Sequence, residues 1–66
     1  MLYNKNIKEY YNYLIKTYRP IHKEIYTKYN KGETILNLSE NYKYSIPFVQ
    51  LIIRRQNDLK ELKELL

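Results

Sequence analysis

Apolar side chains recur along the N-terminal part of the chain at helical spacing. In residues 4–18, NKNIKEYYNYLIKTY, the positions Ile7, Tyr10, Tyr11, Leu14, Ile15 and Tyr18 follow intervals of 3, 1, 3, 1 and 3. That is one face of an α-helix, with Lys5, Lys8, Glu9, Asn12 and Lys16 falling off it. Arg19 precedes Pro20, and a residue before proline resists the helical region, so the helix stops there and Pro20 opens the next. Residues 20–30, PIHKEIYTKYN, repeat the pattern with Ile21, Ile25 and Tyr29 facing in and His22 and Tyr26 nearer the boundary. Gly32, the only glycine, lies just past this run, where a left-handed C-terminal cap belongs.

The stretch ETILNLSENYKYSIPFVQLIIRR, 33–55, holds two short apolar-patterned runs either side of a polar break at Lys43-Tyr44. Thr34 is the expected N-cap of a helix over about 34–42, with Ile35, Leu38 and Tyr42 inward and the small Ser39 beside them. Ser45 then caps a helix whose first turn holds Pro47, where no N–H partner is lost, and whose buried face is Phe48, Val49, Ile52 and Ile53. The tail QNDLKELKELL has strong helix propensity. Either Asp58 and Glu61 cap a separate short helix, or the preceding helix continues for about 33 Å at the standard rise. Continuation is favoured. Ile52, Leu59, Leu62 and Leu66 then form a seam spaced 7, 3 and 4, with Arg55 breaking it once. The tail leucines need a partner in either case, because nine helical residues alone are unstable in water.

The expected architecture is all-α: a small bundle of about four helices containing a helix-turn-helix (about 34–42 and 45–57) and a helical C-terminal tail. The whole chain, 1–66, forms one domain. Its parts are supporting helices at 1–31 packed across the pair, the helix-turn-helix at 32–56, and a tail at 57–66. A chain of this size buries only about 60% of its unfolded surface and is marginally stable. Without cysteine no disulfide or thiolate site can staple it, so helix packing, a dimer interface or a bound partner supplies the difference.

The formal net charge is +5, and its placement matters. Residues 1–55 hold ten Lys/Arg against four Asp/Glu, while 56–66 hold Lys60 and Lys63 against Asp58, Glu61 and Glu64. A basic body favours a polyanion through counterion release. The nine tyrosines, with many Lys, Asn and Ile, read as the drift of an AT-rich coding sequence rather than a base-stacking platform.

Around the break, Leu38, Ser39, Tyr42, Tyr44, Val49 and Ile52 occupy in order the positions a helix-turn-helix needs. The small residue lets the helices cross closely, Tyr44 plugs the turn, and the opposite face of the second helix stays free. More narrowly, IHKEIYTKYNKGETILNLSENYKYSIPFVQLIIRR resembles the C-terminal part of Mor-type phage transcription activators. That family runs from an Ile-Tyr-x-x-Tyr-x-x-Gly segment through a Leu-Ala-x-x-Tyr-Gly-Val-Ser core to a Val-x-x-Ile-Ile recognition helix. The matching residues here are Ile25, Tyr26, Tyr29 and Gly32, then Leu38, Ser39, Tyr42 and Ser45, then Val49, Ile52 and Ile53. The match covers about half the chain. It implies sequence-specific double-stranded DNA binding by a small, dimeric transcriptional regulator from a phage or mobile element. Two departures stand out. Lys43 occupies the turn position where the family carries glycine, and there is no room for a separate N-terminal dimerisation region. A homodimer would then rest on residues 1–18 or on Leu59, Leu62 and Leu66.

With the recognition helix (45–56) in the major groove, base contacts are expected from Ser45, Ile46, Gln50 and Arg54. Gln50 suits adenine, Arg54 suits guanine, and Ile46 and Leu51 suit thymine methyls. Lys31, Thr34, Lys43 and Arg55 flank this surface as phosphate contacts. Arg55 has a plainer role available, covering the core with its stem. Three apolar residues, Ile46, Pro47 and Leu51, are more than base readout needs, so the alternative is a protein–protein interaction module on the same scaffold.

Enzyme constellations are absent. Ser39 and Ser45 lack a His–acid partner nearby in sequence, His22 and Glu24 lie two apart and face different sides of a helix, and no glycine-rich phosphate loop exists. One histidine makes no metal site alone, so no cofactor or metal is expected. No signal-like or membrane-length apolar run is present, so a cytoplasmic protein without membrane partners is the expectation. Surface membrane binding by the first helix is disfavoured by Glu9 and its tyrosine-heavy face.

Overall fold

A computed structural model of the chain describes residues 5–65. It is all-α: α1 (Lys5–Thr17), α2 (Pro20–Asn30), α3 (Ile35–Tyr42) and α4 (Ile46–Leu65). The bundle is elongated, 39 × 19 × 19 Å, because α4 runs unbroken as its spine. Asp58 therefore starts no new helix, in agreement with the continuous reading of the tail.

The boundaries follow local chemistry. Arg19 is extended at φ −135° and ψ 143°, and Pro20 takes the first helical position of α2. The C-terminus of α2 closes on Gly32 at φ 110°. There the Gly32 amide donates to the Tyr29 carbonyl and the Glu33 amide to the Lys28 carbonyl, both at 3.1 Å. This is the paired bonding of a glycine-terminated helix end. Thr34 caps α3, its Oγ1 accepting from the Asn37 amide at 3.1 Å, and Ser45 Oγ accepts from the Phe48 amide at 3.3 Å at the head of α4.

Three helices meet in one core. Ile25 of α2, Leu38 of α3 and Val49 of α4 are fully buried and Ile52 nearly so, with Ile35, Tyr42, Tyr44 and Ile53 packed around them. Tyr42 also donates its hydroxyl hydrogen to Glu24 Oε2, and the Lys28 ammonium lies 5.2 Å from the Tyr42 ring centroid, tying α3 to α2.

The register of α2 departs from expectation. Ile21 and Tyr29 are 37% and 39% exposed, and the face turned to α4 is His22, Ile25 and Tyr26. His22 meets the edge of Phe48, and Tyr26 donates its hydroxyl hydrogen to Asn57 Oδ1 at 3.2 Å. The cause is that α2 lies against α3 and α4 at once, which rotates its buried stripe toward the polar-tipped rings. Phe48 is likewise 38% exposed, as a lid on the core's edge rather than a member of its interior.

Nor do both supporting helices cross the helix-turn-helix pair. Only α2 does so; α1 packs on α4 alone, antiparallel to its C-terminal half. Leu14 is the buried residue of α1, Tyr10 donates to Asp58 Oδ2 at 2.7 Å, and Ile7 shares a hollow with Leu62 and Leu65. Ile15, expected inward, is 49% exposed. Core-facing positions of α4 run Val49, Ile52, Gln56 and Leu59, so Gln56 rather than Arg55 interrupts the apolar row. Leu59 is buried inside this chain and Leu62 is half-buried; Leu66 lies outside the described residues. Leu59 and Leu62 are thus covered within the chain, Leu62 beside Ile7 of α1.

Leu38→Ala leaves a cavity where three helices converge and is expected to lower unfolding free energy by about 3 kcal/mol, read from urea denaturation. Partial burial first, then the charges of Arg19 and Arg55, hold the His22 pKa below its ordinary value. The fold prefers neutral His22, so its contribution is fully present above the unfolded pKa of about 6.5 and is lost as pH falls through the lowered folded value. Between pH 7 and 5 the urea midpoint is expected to drop more for the wild type than for His22→Gln.

Candidate nucleic-acid interface

The joint between α3 and α4 is three residues long, Lys43 to Ser45. Lys43 adopts φ 59° and ψ 38°, the left-handed conformation that turns the chain after α3. A residue with a Cβ bears a cost there, of order 1–2 kcal/mol, from crowding of Cβ against the following carbonyl. The surroundings hold the turn in place. The Tyr44 amide donates to the Ser39 carbonyl at 3.1 Å, and the Ser39 hydroxyl donates back to the Tyr44 carbonyl. Ser39 thus does more than allow a close crossing, because its hydroxyl closes the turn. The Tyr44 ring stacks near Tyr42 with centroids 6.5 Å apart and meets Phe48 edge-on at 4.9 Å. These rings seal the turn side of the core.

Burial of Val49 and Ile52 sets which side of α4 is free. Ile46, Gln50 and Arg54 stand at intervals of four along that side, all exposed, forming a row about 12 Å long by the helical rise. Pro47 and Leu51 are exposed beside them. Gln50 and Arg54 border a shallow hollow with Tyr29, Ile35 and Asn57. Thr34 immediately precedes Ile35 and is exposed, and Lys43 stands exposed at the turn. Ser45 begins the row, its oxygen occupied as the cap of α4 while its hydroxyl hydrogen remains to donate.

Two of the expected phosphate contacts are not brought to this surface. Arg55 is half-buried in the α1–α4 seam, where Nη2 donates to the Tyr13 hydroxyl at 2.9 Å and the guanidinium lies 5.3 Å from the Tyr13 ring centroid. An arginine one residue beyond Arg54 points about 100° around the helix, toward α1. Lys31 lines a different hollow, with Tyr18, Lys23 and Thr27. Burial first, then the hydrogen bond to Asp58, raises the Tyr10 pKa, a further mark of how closely α1 binds the tail of α4.

Among the described residues no group of three or more His, Cys, Asp or Glu is placed to hold a metal ion, and no helix is long and apolar enough to cross a membrane. Comparisons with protein-family models, curated proteins and solved structures find no match to this chain. The likeness to Mor-type activators therefore rests on the residues of the motif themselves.

Because the left-handed turn costs lysine more than glycine, Lys43→Gly is expected to stabilise the fold by about 1 kcal/mol. For a domain of this size, calorimetry should show the melting temperature rising by about 4–8 °C.

Proposed function

We propose that this protein binds double-stranded DNA sequence-specifically through the helix-turn-helix of α3 and α4, as a small transcriptional regulator. The observation that carries the proposal is the pairing of a buried Leu38–Val49–Ile52 contact with a solvent-facing row of Ile46, Gln50 and Arg54. A helix held at its base by a second helix and presenting an exposed row of side chains is the form that enters a major groove. Gln50 can pair with adenine and Arg54 with guanine through two bonds each, and Ile46 can meet a thymine methyl. Thr34 and Lys43 flank the row as phosphate contacts, and the +5 charge favours a polyanion.

A second reading has its own observation. Ile46 and Leu51 are 42% and 37% exposed, with Pro47 beside them, an apolar strip on the free face of α4. Such a strip suits a protein contact, in the same place and in competition with DNA.

Selection of duplexes from a random pool, followed by fluorescence anisotropy, separates the two. Arg54→Ala and Gln50→Ala are each expected to cost about 1–3 kcal/mol on the selected duplex and to relax its sequence preference. Lys43→Gly, although stabilising to the fold, should weaken every duplex and reduce the salt slope by about one. Absence of any enrichment at low salt rejects DNA binding. Loss of a protein contact on Leu51→Glu, with the fold intact, would favour the second reading.

A further inference from the structure

Four lysines converge away from the row on α4. A trough of about 670 Å³ runs between α2 and the C-terminal half of α4, its apolar lining including Ile15, Tyr18 and Leu59. Lys23 and Lys31 stand on its α2 side and Lys60 and Lys63 on its α4 side, and no Asp or Glu lines it. None of the four lysines is held in an ion pair among the described residues. Ile15, 49% exposed, leaves much of its side chain in water at the edge of this trough.

We propose that the trough is a docking site for an acidic amphipathic helix of a partner protein, one with an apolar stripe flanked by Asp or Glu. Charge complementarity argues for this occupant. Lys23 and Lys31 lie about 12 Å apart along α2, and Lys60 and Lys63 one turn apart on α4, so positive charge borders the apolar floor on both sides. A ligand with a single charged head would use one end of such a site. A helix carrying acids on both flanks of its apolar stripe uses all of it, as in helix-in-groove recognition. A second copy of this chain fits poorly. Two of its three acidic tail residues already accept hydrogen bonds, Asp58 from Tyr10 and Glu61 from Asn57, and two copies at +5 repel each other. The trough lies on another side of α4 and further along it than Ile46, Gln50 and Arg54, so its occupation is independent of DNA binding.

The probe is a fluorescein-labelled synthetic helix of about 20 residues with leucine at i, i+3, i+4 and i+7 and glutamate on both flanks, compared with the same peptide carrying lysine for glutamate. The acidic peptide is expected to bind and the basic one to bind at least about 10-fold more weakly, with affinity falling as salt rises. The double variants Lys23→Glu/Lys31→Glu and Lys60→Glu/Lys63→Glu should each lose about 10-fold, while Arg54→Ala binds the peptide unchanged. All four lysines are exposed, and thermal unfolding by circular dichroism verifies that the variants fold. Equal binding of the two peptides, or full affinity in both double variants, overturns the proposal. Displacement of the peptide by dodecanoate at comparable concentration also overturns it, assigning the trough to a small amphiphile. So does self-association in sedimentation that the same variants abolish, which assigns it to a second copy.

Discussion

Everything in this fold hangs on the meeting of Ile25, Leu38, Val49 and Ile52. One side chain from α2, one from α3 and two from α4 exclude water from a single point. Each contributes about 1.5–3 kcal/mol by burial, a large share of the margin open to so small a chain with no disulfide. The same contact fixes the rotation of α4. Once Val49 and Ile52 face inward, Gln50 and Arg54 have nowhere to go but outward. Core and candidate interface are two sides of one steric choice.

The two halves of α4 then serve different neighbours. Its first three turns bind α2 and α3 and leave one side free. Its last turns take α1 through Tyr10–Asp58 and Tyr13–Arg55, polar contacts at the seam's edge around the buried Leu14 and Leu59. Where α1 and α2 part over the tail, a floor of apolar side chains is left between lysines. A spine held along its length by short helices that do not cover it completely produces grooves of this kind.

Much of this was legible from the chain. Helical periodicity marked all four helices, because proline, glycine, threonine and serine at their ends leave few other places to stop. The inward set Leu38, Val49 and Ile52 followed from spacing alone. The rotation of α2 did not, since His22 and Tyr26 look no more apolar than Ile21 and Tyr29, and only contact with two helices at once decides among them. Spacing put Arg54 on the free side and Arg55 at the seam; that Arg55 is held there by Tyr13 of α1 is a contact between distant segments that no local pattern encodes. Lys23 and Lys31 are more than 25 residues from Lys60 and Lys63, so their convergence is a product of the fold.

The antiparallel course of α1 along the tail places Ile7 beside Leu62 and Leu65. The two extremities of the described chain therefore meet at one pole of the rod, and the α3–α4 turn lies remote from them. A short linker could join these extremities and the chain be reopened at the exposed Lys31–Gly32 bend without breaking the central contact. Both ends of the described stretch, 5–65, thus leave from one pole, clear of the face that Gln50 and Arg54 present.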